Sequence, residues 1–95
     1  MTPDVCSLNQ NYPNPFNPIT KITFSLASDA KVNLKVFNVL GQEIVTLINQ
    51  DLTAGVHTHN FDAAGLNSGI YFYKLEVTST TGSNFTDIKK MTLLK

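Results

Sequence analysis

Ile70-Tyr71-Phe72-Tyr73-Lys74-Leu75-Glu76-Val77-Thr78 is the stretch of sequence that decides the fold. Its apolar and polar residues alternate with a period of two, which is typical of a β-strand with one buried face. Aromatic and β-branched residues dominate the stretch, and these residue types favour strands. We therefore predict a strand over residues 70–78, with Tyr71 and Tyr73 pointing into the core.

The same alternation recurs on both sides of this stretch, at intervals of about ten residues. It predicts further strands over residues 20–26, 31–38 and 56–61. Strands are also predicted over residues 42–49, whose apolar run on both faces should be covered on its outer side, and over residues 85–94. In the connection after residue 38, Gly41 suits a left-handed backbone conformation in a bulged hairpin. Short strands with turns between them indicate an all-β protein. We predict an immunoglobulin-like or fibronectin III-like antiparallel β-sandwich of about seven strands. Its predicted core contains Ile22, Phe24, Val32, Leu34, Val36, Tyr71, Tyr73 and Leu75.

The composition agrees with one small globular domain. The chain has 95 residues, of which 42% are apolar and 15% charged, and its formal net charge is zero. A neutral chain with scattered lysines offers no surface for nucleic acid or an anionic membrane. No apolar run approaches the roughly 18 residues of a membrane span. These features exclude nucleic-acid binding and membrane insertion from the expected functions.

The N-terminal residues differ from the rest of the chain. Residues 1–9 are polar and aperiodic, and we predict a linker left over from a larger protein, followed by one domain over residues 10–95. Cys6 is the only cysteine, so no disulfide can form within the chain. In a linker it is expected to be a mobile, inert thiol, or alternatively to pair with a cysteine of another copy or of upstream sequence.

Residues 11–18, which we call the strap, read Asn-Tyr-Pro-Asn-Pro-Phe-Asn-Pro. Proline fixes φ and removes a backbone donor, so three prolines within six positions exclude a helix. We expect a rigid, extended strap. Aromatic side chains beside fixed φ angles lose little entropy on docking, so Tyr12 and Phe16 should both pack against the sandwich. A seventh strand is expected from the strap or from residues 27–30.

The histidines are the best candidates for a metal site. His57 and His59 lie on one face of a predicted strand and could supply two ligands. Zinc needs further Cys, His or carboxylate ligands, and no spacing fixes Asp51 or Asp62 beside them. We therefore predict no metal and no cofactor, with both histidines half-buried beside Phe61.

Nothing in the sequence indicates catalysis. There is no Gly-x-Ser-x-Gly motif, and the seven carboxylates lie mainly in turns or at outward strand positions. The aromatic run at residues 71–73 could form a platform for sugars. Its alternation instead places Tyr71 and Tyr73 in the core and leaves Phe72 facing outward. We predict no catalytic residues and no enzyme activity.

The strap, together with Gln10, resembles the opening signature of the C-terminal sorting domains of the type IX (Por) secretion system. These domains are similar in fold to the immunoglobulin-like domain of the flagellar hook-capping protein. The resemblance continues in order to Lys95 and covers about residues 8–95, through Ile22-Thr23-Phe24, Val36-Phe37-Asn38, Leu40-Gly41-Gln42-Glu43, Ala54-Gly55, His57, Leu66 and Ser68-Gly69-Ile70-Tyr71-Phe72-Tyr73. His59 departs from the family pattern, which usually has an aliphatic residue there. By resemblance, the structural motif consists of Tyr12, Pro13, Asn14, Pro15, Phe16, Asn17, Pro18, Gly41, Gly55, Gly69, Tyr71 and Tyr73.

The resemblance implies a function in protein secretion. Such a domain ends a larger Gram-negative protein and directs its N-terminal cargo through the periplasm and the outer-membrane type IX machinery to the cell surface or medium. The machinery and the covalently attached cargo are the implied partners. The last strand is the expected recognition element, through Lys89, Lys90, Met91, Leu93, Leu94 and Lys95.

An edge strand can be extended by a partner's strand, but edge lysines can equally serve only to prevent aggregation. The alternative functions are a structural or adhesive immunoglobulin-like spacer and, third, a carbohydrate-binding module. A sorting signal must end its polypeptide, so the end of this sequence at Lys95 favours the signal.

Overall fold

A computed structural model describes residues 5–80 and 82–95 of the chain. Within these residues there are seven β-strands and no helix. The strands are β1 (Ser7–Leu8), β2 (Ile19–Leu26), β3 (Ala30–Phe37), β4 (Glu43–Leu52), β5 (Gly55–Asp62), β6 (Gly69–Ser79) and β7 (Asn84–Leu93). Accordingly, the described part of the chain has no helix long and apolar enough to cross a membrane.

The strands form two antiparallel sheets. One has the order β1-β2-β5 and the other the order β4-β3-β6-β7. The predicted antiparallel sandwich is therefore confirmed. All of the predicted core side chains are buried, and β3 and β6 place them opposite one another, with Leu34 paired to Leu75 and Val36 to Tyr73. Full burial of a valine, leucine, isoleucine or phenylalanine side chain contributes roughly 1.5–3 kcal/mol to the stability of the fold.

Strand β4 carries an apolar run that a regular strand would divide between its two faces. Its register with β3 shifts twice. Leu47 is an extra, unpaired residue at the step between Leu34 and Lys35 of β3, and Ile44 is another at the step between Val36 and Phe37. A bulge bends an edge strand and re-aims the side chains that follow it. Val45, Leu47 and Ile48 all pack partly against the core as a result.

The sandwich begins earlier than the sequence suggested. Ser7–Leu8 pairs with β2, and Leu8 is only 5% exposed, although both residues fall in the predicted linker 1–9. Cys6 is a free thiol that packs partly against the core, which differs from the expected mobile thiol. This short strand, and not the strap or residues 27–30, is the seventh strand. A two-residue strand has no period to detect, which explains the difference. Residues 1–4 lie outside the described part of the chain.

The strap crosses the end of the sandwich and touches both sheets. It forms an antiparallel bridge between Tyr12 and Lys21 of β2 and a parallel bridge between Phe16 and Leu93 of β7. Phe16 is 2% exposed, as predicted, but Tyr12 is 80% exposed, so its predicted burial is wrong. Tyr12 is held by its backbone, and the neighbouring Asn11 takes the buried position in its place.

Candidate functional site: the strap and the end of β7

Buried hydrogen bonds fix the N-terminal half of the strap. The Asn11 amide donates to Tyr73 Oη at 2.8 Å, and that hydroxyl donates to the Asn9 carbonyl at 2.7 Å. Asn11 Nδ2 donates to Thr20 Oγ1 at 3.0 Å and to the Pro13 carbonyl at 3.1 Å. Within the described residues, no buried side-chain nitrogen or oxygen lacks a partner. The cost of burying these polar groups is therefore offset.

Tyr73 is the central member of this network and is fully buried. Burial disfavours the charged phenolate and raises the pKa of Tyr73 from 10.0 to about 12. The protonated hydroxyl accepts from the Asn11 amide of the strap and donates to the Asn9 carbonyl. The sequence had predicted Tyr73 as a core residue with a hydroxyl at the rim, whereas Asn11 and Thr20 were missed because short polar residues carry no burial signal.

The C-terminal half of the strap binds the free edge of β7. The Phe16 amide donates to the Thr92 carbonyl at 3.0 Å, and the Leu94 amide donates to the Phe16 carbonyl at 2.9 Å. The Thr92 amide donates to Asn14 Oδ1 at 3.0 Å. The Phe16 ring packs against Phe61, with 6.3 Å between the ring centroids. Backbone pairing therefore joins the strap to β7, and aromatic packing joins it to β5.

Three further hydrogen bonds close this end of the fold. Gln10 Nε2 donates to the Lys90 carbonyl at 2.7 Å. At the terminus, the Lys95 amide donates to Ser68 Oγ at 3.0 Å, and Lys95 Nζ donates to the Ala64 carbonyl at 2.6 Å. The expected open edge along the last strand is thus occupied over residues 90–94. A partner strand could not pair there without displacing the strap.

The proposed recognition residues divide into two groups. Met91 and Leu93 are buried in the core and act as structural residues. Lys90, Leu94 and Lys95 are exposed, with Leu94 at 54%. The remaining residue, Lys89, is half-buried with its ammonium 3.8 Å from a carboxylate oxygen of Asp87. Only the exposed group presents side chains to another molecule, and within it the Lys95 ammonium already bonds to the Ala64 carbonyl.

Gly41 adopts the predicted left-handed backbone, with φ at +81°. Its amide donates to the Asn38 carbonyl at 3.0 Å, and Asn38 Oδ1 accepts the amides of Leu40 and Gln42. L-residues with a β-carbon pay a steric cost in this conformation. Gly55 also has a positive φ in open space. Gly41 therefore allows the tight turn between β3 and β4.

The other candidate sites of the sequence have structural contacts. His57 stacks on Phe24 with 5.5 Å between ring centroids, and its Nε2 lies 2.7 Å from the Thr53 carbonyl oxygen. The described residues contain no group of three His, Cys, Asp or Glu side chains that could hold a metal ion. Tyr71 is buried and donates to the Asn67 carbonyl at 2.6 Å, so it and Tyr73 offer no platform for a sugar.

Several solved structures share the fold. CopC from Methylosinus trichosporium OB3b has a TM-score of 0.61 and 18% identity, over 94% of this chain and 93% of that one. Dimeric latent PorU from Porphyromonas gingivalis has a TM-score of 0.73 and 19% identity, over 99% of this chain and 10% of that one. The soluble domain of PmoD from Methylocystis sp. ATCC 49242 (Rockwell) has a TM-score of 0.56 and 16% identity, over 94% and 89%. At these identities the similarity shows a common β-sandwich.

The family assignment rests on the sequence. No curated protein matches the chain. The family model for the secretion system C-terminal sorting domain matches residues 10–90, which include the strap, the core strands and most of β7. Domains of this family mark proteins for type IX export to the cell surface or the extracellular space, and they are in general non-catalytic. The chain belongs to the secretion system C-terminal sorting domain family.

Proposed function

We propose that the type IX machinery reads this domain at the surface where the strap meets the end of β7. The observation that carries the proposal is the bridge between Phe16 and Leu93, which joins two segments far apart in sequence. The proposed contacts are the exposed side chains of Lys90, Leu94 and Lys95. Met91 and Leu93 would act beneath them as buried supports.

The domain's role is recognition, and we infer that it contributes no catalysis and needs no cofactor. Its partners are the secretion machinery and a cargo protein attached ahead of β1. The residues preceding Ser7 then serve as the connection to that cargo. Because the strap already pairs with the β7 edge over residues 90–94, side-chain contact supports recognition better than the addition of a partner strand.

An export assay tests this site. The whole chain is fused to a periplasm-competent reporter in a host with a type IX system. One fusion is intact, and a second carries Lys90→Ala, Leu94→Ala and Lys95→Ala, which replace exposed side chains and preserve the strap's backbone bonds. We expect export of the first and periplasmic retention of the second.

A matched control separates the site from general surface change. Its fusion carries Lys21→Ala, Lys31→Ala and Val39→Ala, which also remove two exposed lysines and one exposed apolar side chain. Export of this control, with retention of the site variant, supports the proposal, and thermal melts must show that both are folded. Equal export of all three would refute the site but not the sorting function. Retention of the intact fusion would favour the alternative of a spacer module.

A further inference from the structure

Two of the four sheet edges are protected against another strand, and a third is protected over its last residues. Strand β1 has only two residues, β4 carries two bulges, and the end of β7 is covered by the strap. Further along β7, the Ile88 amide bonds to Asp87 Oδ1 at 2.9 Å. Short strands, bulges and covering segments are the usual means of preventing edge-to-edge pairing. Strand β5 is different, because its eight residues pair with β2 without a register shift and contain no proline and no lysine.

The free backbone groups of β5 can be identified from its register. The Ala63 amide donates to the Pro18 carbonyl at 2.9 Å, in line with the ladder between β2 and β5. Antiparallel ladders alternate, so the odd-numbered residues of β5 bond to β2 and the even-numbered residues point away from it. The outward residues are Val56, Thr58, Asn60 and Asp62. Among residues 5–80 and 82–95, nothing bonds to their eight N–H and C=O groups.

We propose that this edge pairs with β5 of a second copy of the chain, in an antiparallel arrangement about a two-fold axis at His59. In that register Thr58 lies opposite Asn60 of the other copy, and Val56 lies opposite Asp62. All eight outward groups of each strand then have partners. A shift of the axis by one residue in either direction leaves some of them unpaired. The two three-stranded sheets become one six-stranded sheet.

The side chains of β5 also fit this register. On the inner face, His57 lies opposite Phe61 of the other copy, and two aromatic rings facing each other across a ladder stabilise it. Asp62 is the only carboxylate or ammonium group in the strand, and it lies opposite Val56. No carboxylate therefore faces a carboxylate, and at the axis the His59 imidazole faces His59 of the other copy. The sequence of β5 is therefore complementary to itself, which is the requirement for a two-fold interface.

Charge substitutions on the exposed outer face test both the dimer and its register. Thr58→Lys with Asn60→Lys places lysine opposite lysine twice. Thr58→Lys with Asn60→Glu places lysine opposite glutamate twice. Both variants lose the same bond between Thr58 Oγ1 and Thr23 Oγ1. Each cross-strand charge pair contributes up to about 1 kcal/mol, so the two pairs together should change the dimer dissociation constant by up to about thirtyfold between the two variants.

Sedimentation equilibrium of the full chain measures these constants. We expect a concentration-dependent dimer for the unmodified chain, a weaker dimer for the lysine–lysine variant and a stronger one for the lysine–glutamate variant. Thermal melts at low concentration check that the variants are equally folded. Equal dissociation constants for the two variants would overturn the register. A chain that stays monomeric at every concentration would overturn the dimer. The proposed sorting function is tested separately by export, so the two can fail independently.

Discussion

Replacing Phe16 with alanine tests whether the strap is part of the folded domain. Phe16 is almost fully buried and packs its ring against Phe61. Truncation of a buried phenylalanine costs about 3–5 kcal/mol, because transfer free energy is lost and a cavity remains. Alanine keeps the amide and carbonyl that bond to Thr92 and Leu94, so the loss comes from the ring. For a domain of this size, 1 kcal/mol corresponds to about 4–8 °C in Tm, so Phe16→Ala should lower Tm by at least about 12 °C.

Tyr12→Ala is the matched control, since it removes an aromatic side chain from the same strap. Tyr12 is mostly exposed, and its bonds to Lys21 involve only backbone atoms. The expected change in unfolding free energy is within about 0.5 kcal/mol. Thermal melts followed by circular dichroism, together with urea denaturation, compare the two variants. If Phe16→Ala melts at the same temperature as Tyr12→Ala, the strap is not anchored by its second aromatic ring and the reasoning is refuted.

Other substitutions test the remaining features. Gly41→Ala should lower the free energy of unfolding by about 1–2 kcal/mol in urea denaturation, because a β-carbon is disfavoured at the left-handed φ of this position. Gly65→Ala is the control: Gly65 has open space around it and no positive φ, so the change should be less than about 0.5 kcal/mol. Tyr73→Phe leaves a buried strap amide without its acceptor and should cost about 1–3 kcal/mol in the same assay. Because burial raises the pKa of Tyr73 to about 12, the unfolded chain releases this proton first as pH rises above 10.0. Stability should therefore fall between these two pH values, and more steeply in the unmodified chain than in Tyr73→Phe. Excess zinc or a chelator should leave Tm unchanged, since His57 and His59 have no third ligand nearby among the described residues; a shift of several degrees would contradict this.

The sequence predicted the fold well where the alternation of apolar and polar residues extended over many residues. The alternation in β6 and its neighbours identified their buried faces correctly, because a strand that fills one side of a sandwich must place every second residue inside. The same method could not find β1, which is too short to show a period. The expectation that Tyr12 packs against the sandwich came from its aromatic ring beside fixed φ angles, and that argument does not identify which strap residue faces inward.

The candidate site was harder to predict because it depends on contacts between distant residues. The sequence identified the strap and the last strand separately, but no local pattern shows that Phe16 bonds to Thr92 and Leu94. Nor does it show that Asn11 lies beneath the strap and bonds to Tyr73. Short polar residues are usually exposed, and they are buried only where a specific partner satisfies them. That partner is known only from the tertiary structure.

The junction of the strap with β7 has a consequence for the proposed sorting function. In the folded domain Phe16 pairs with Leu93 of β7, β7 pairs with β6, and the strap is bridged to β2 through Tyr12 and Lys21. The conformation in which Lys90, Leu94 and Lys95 are presented therefore depends on the folded domain, although the three residues lie within one short segment. Under the proposed function, Phe16→Ala should reduce export at temperatures where it unfolds the domain and permit export below its Tm. Tyr12→Ala should be exported at both temperatures. Export of an unfolded Phe16→Ala fusion would show that the machinery reads the terminal sequence itself.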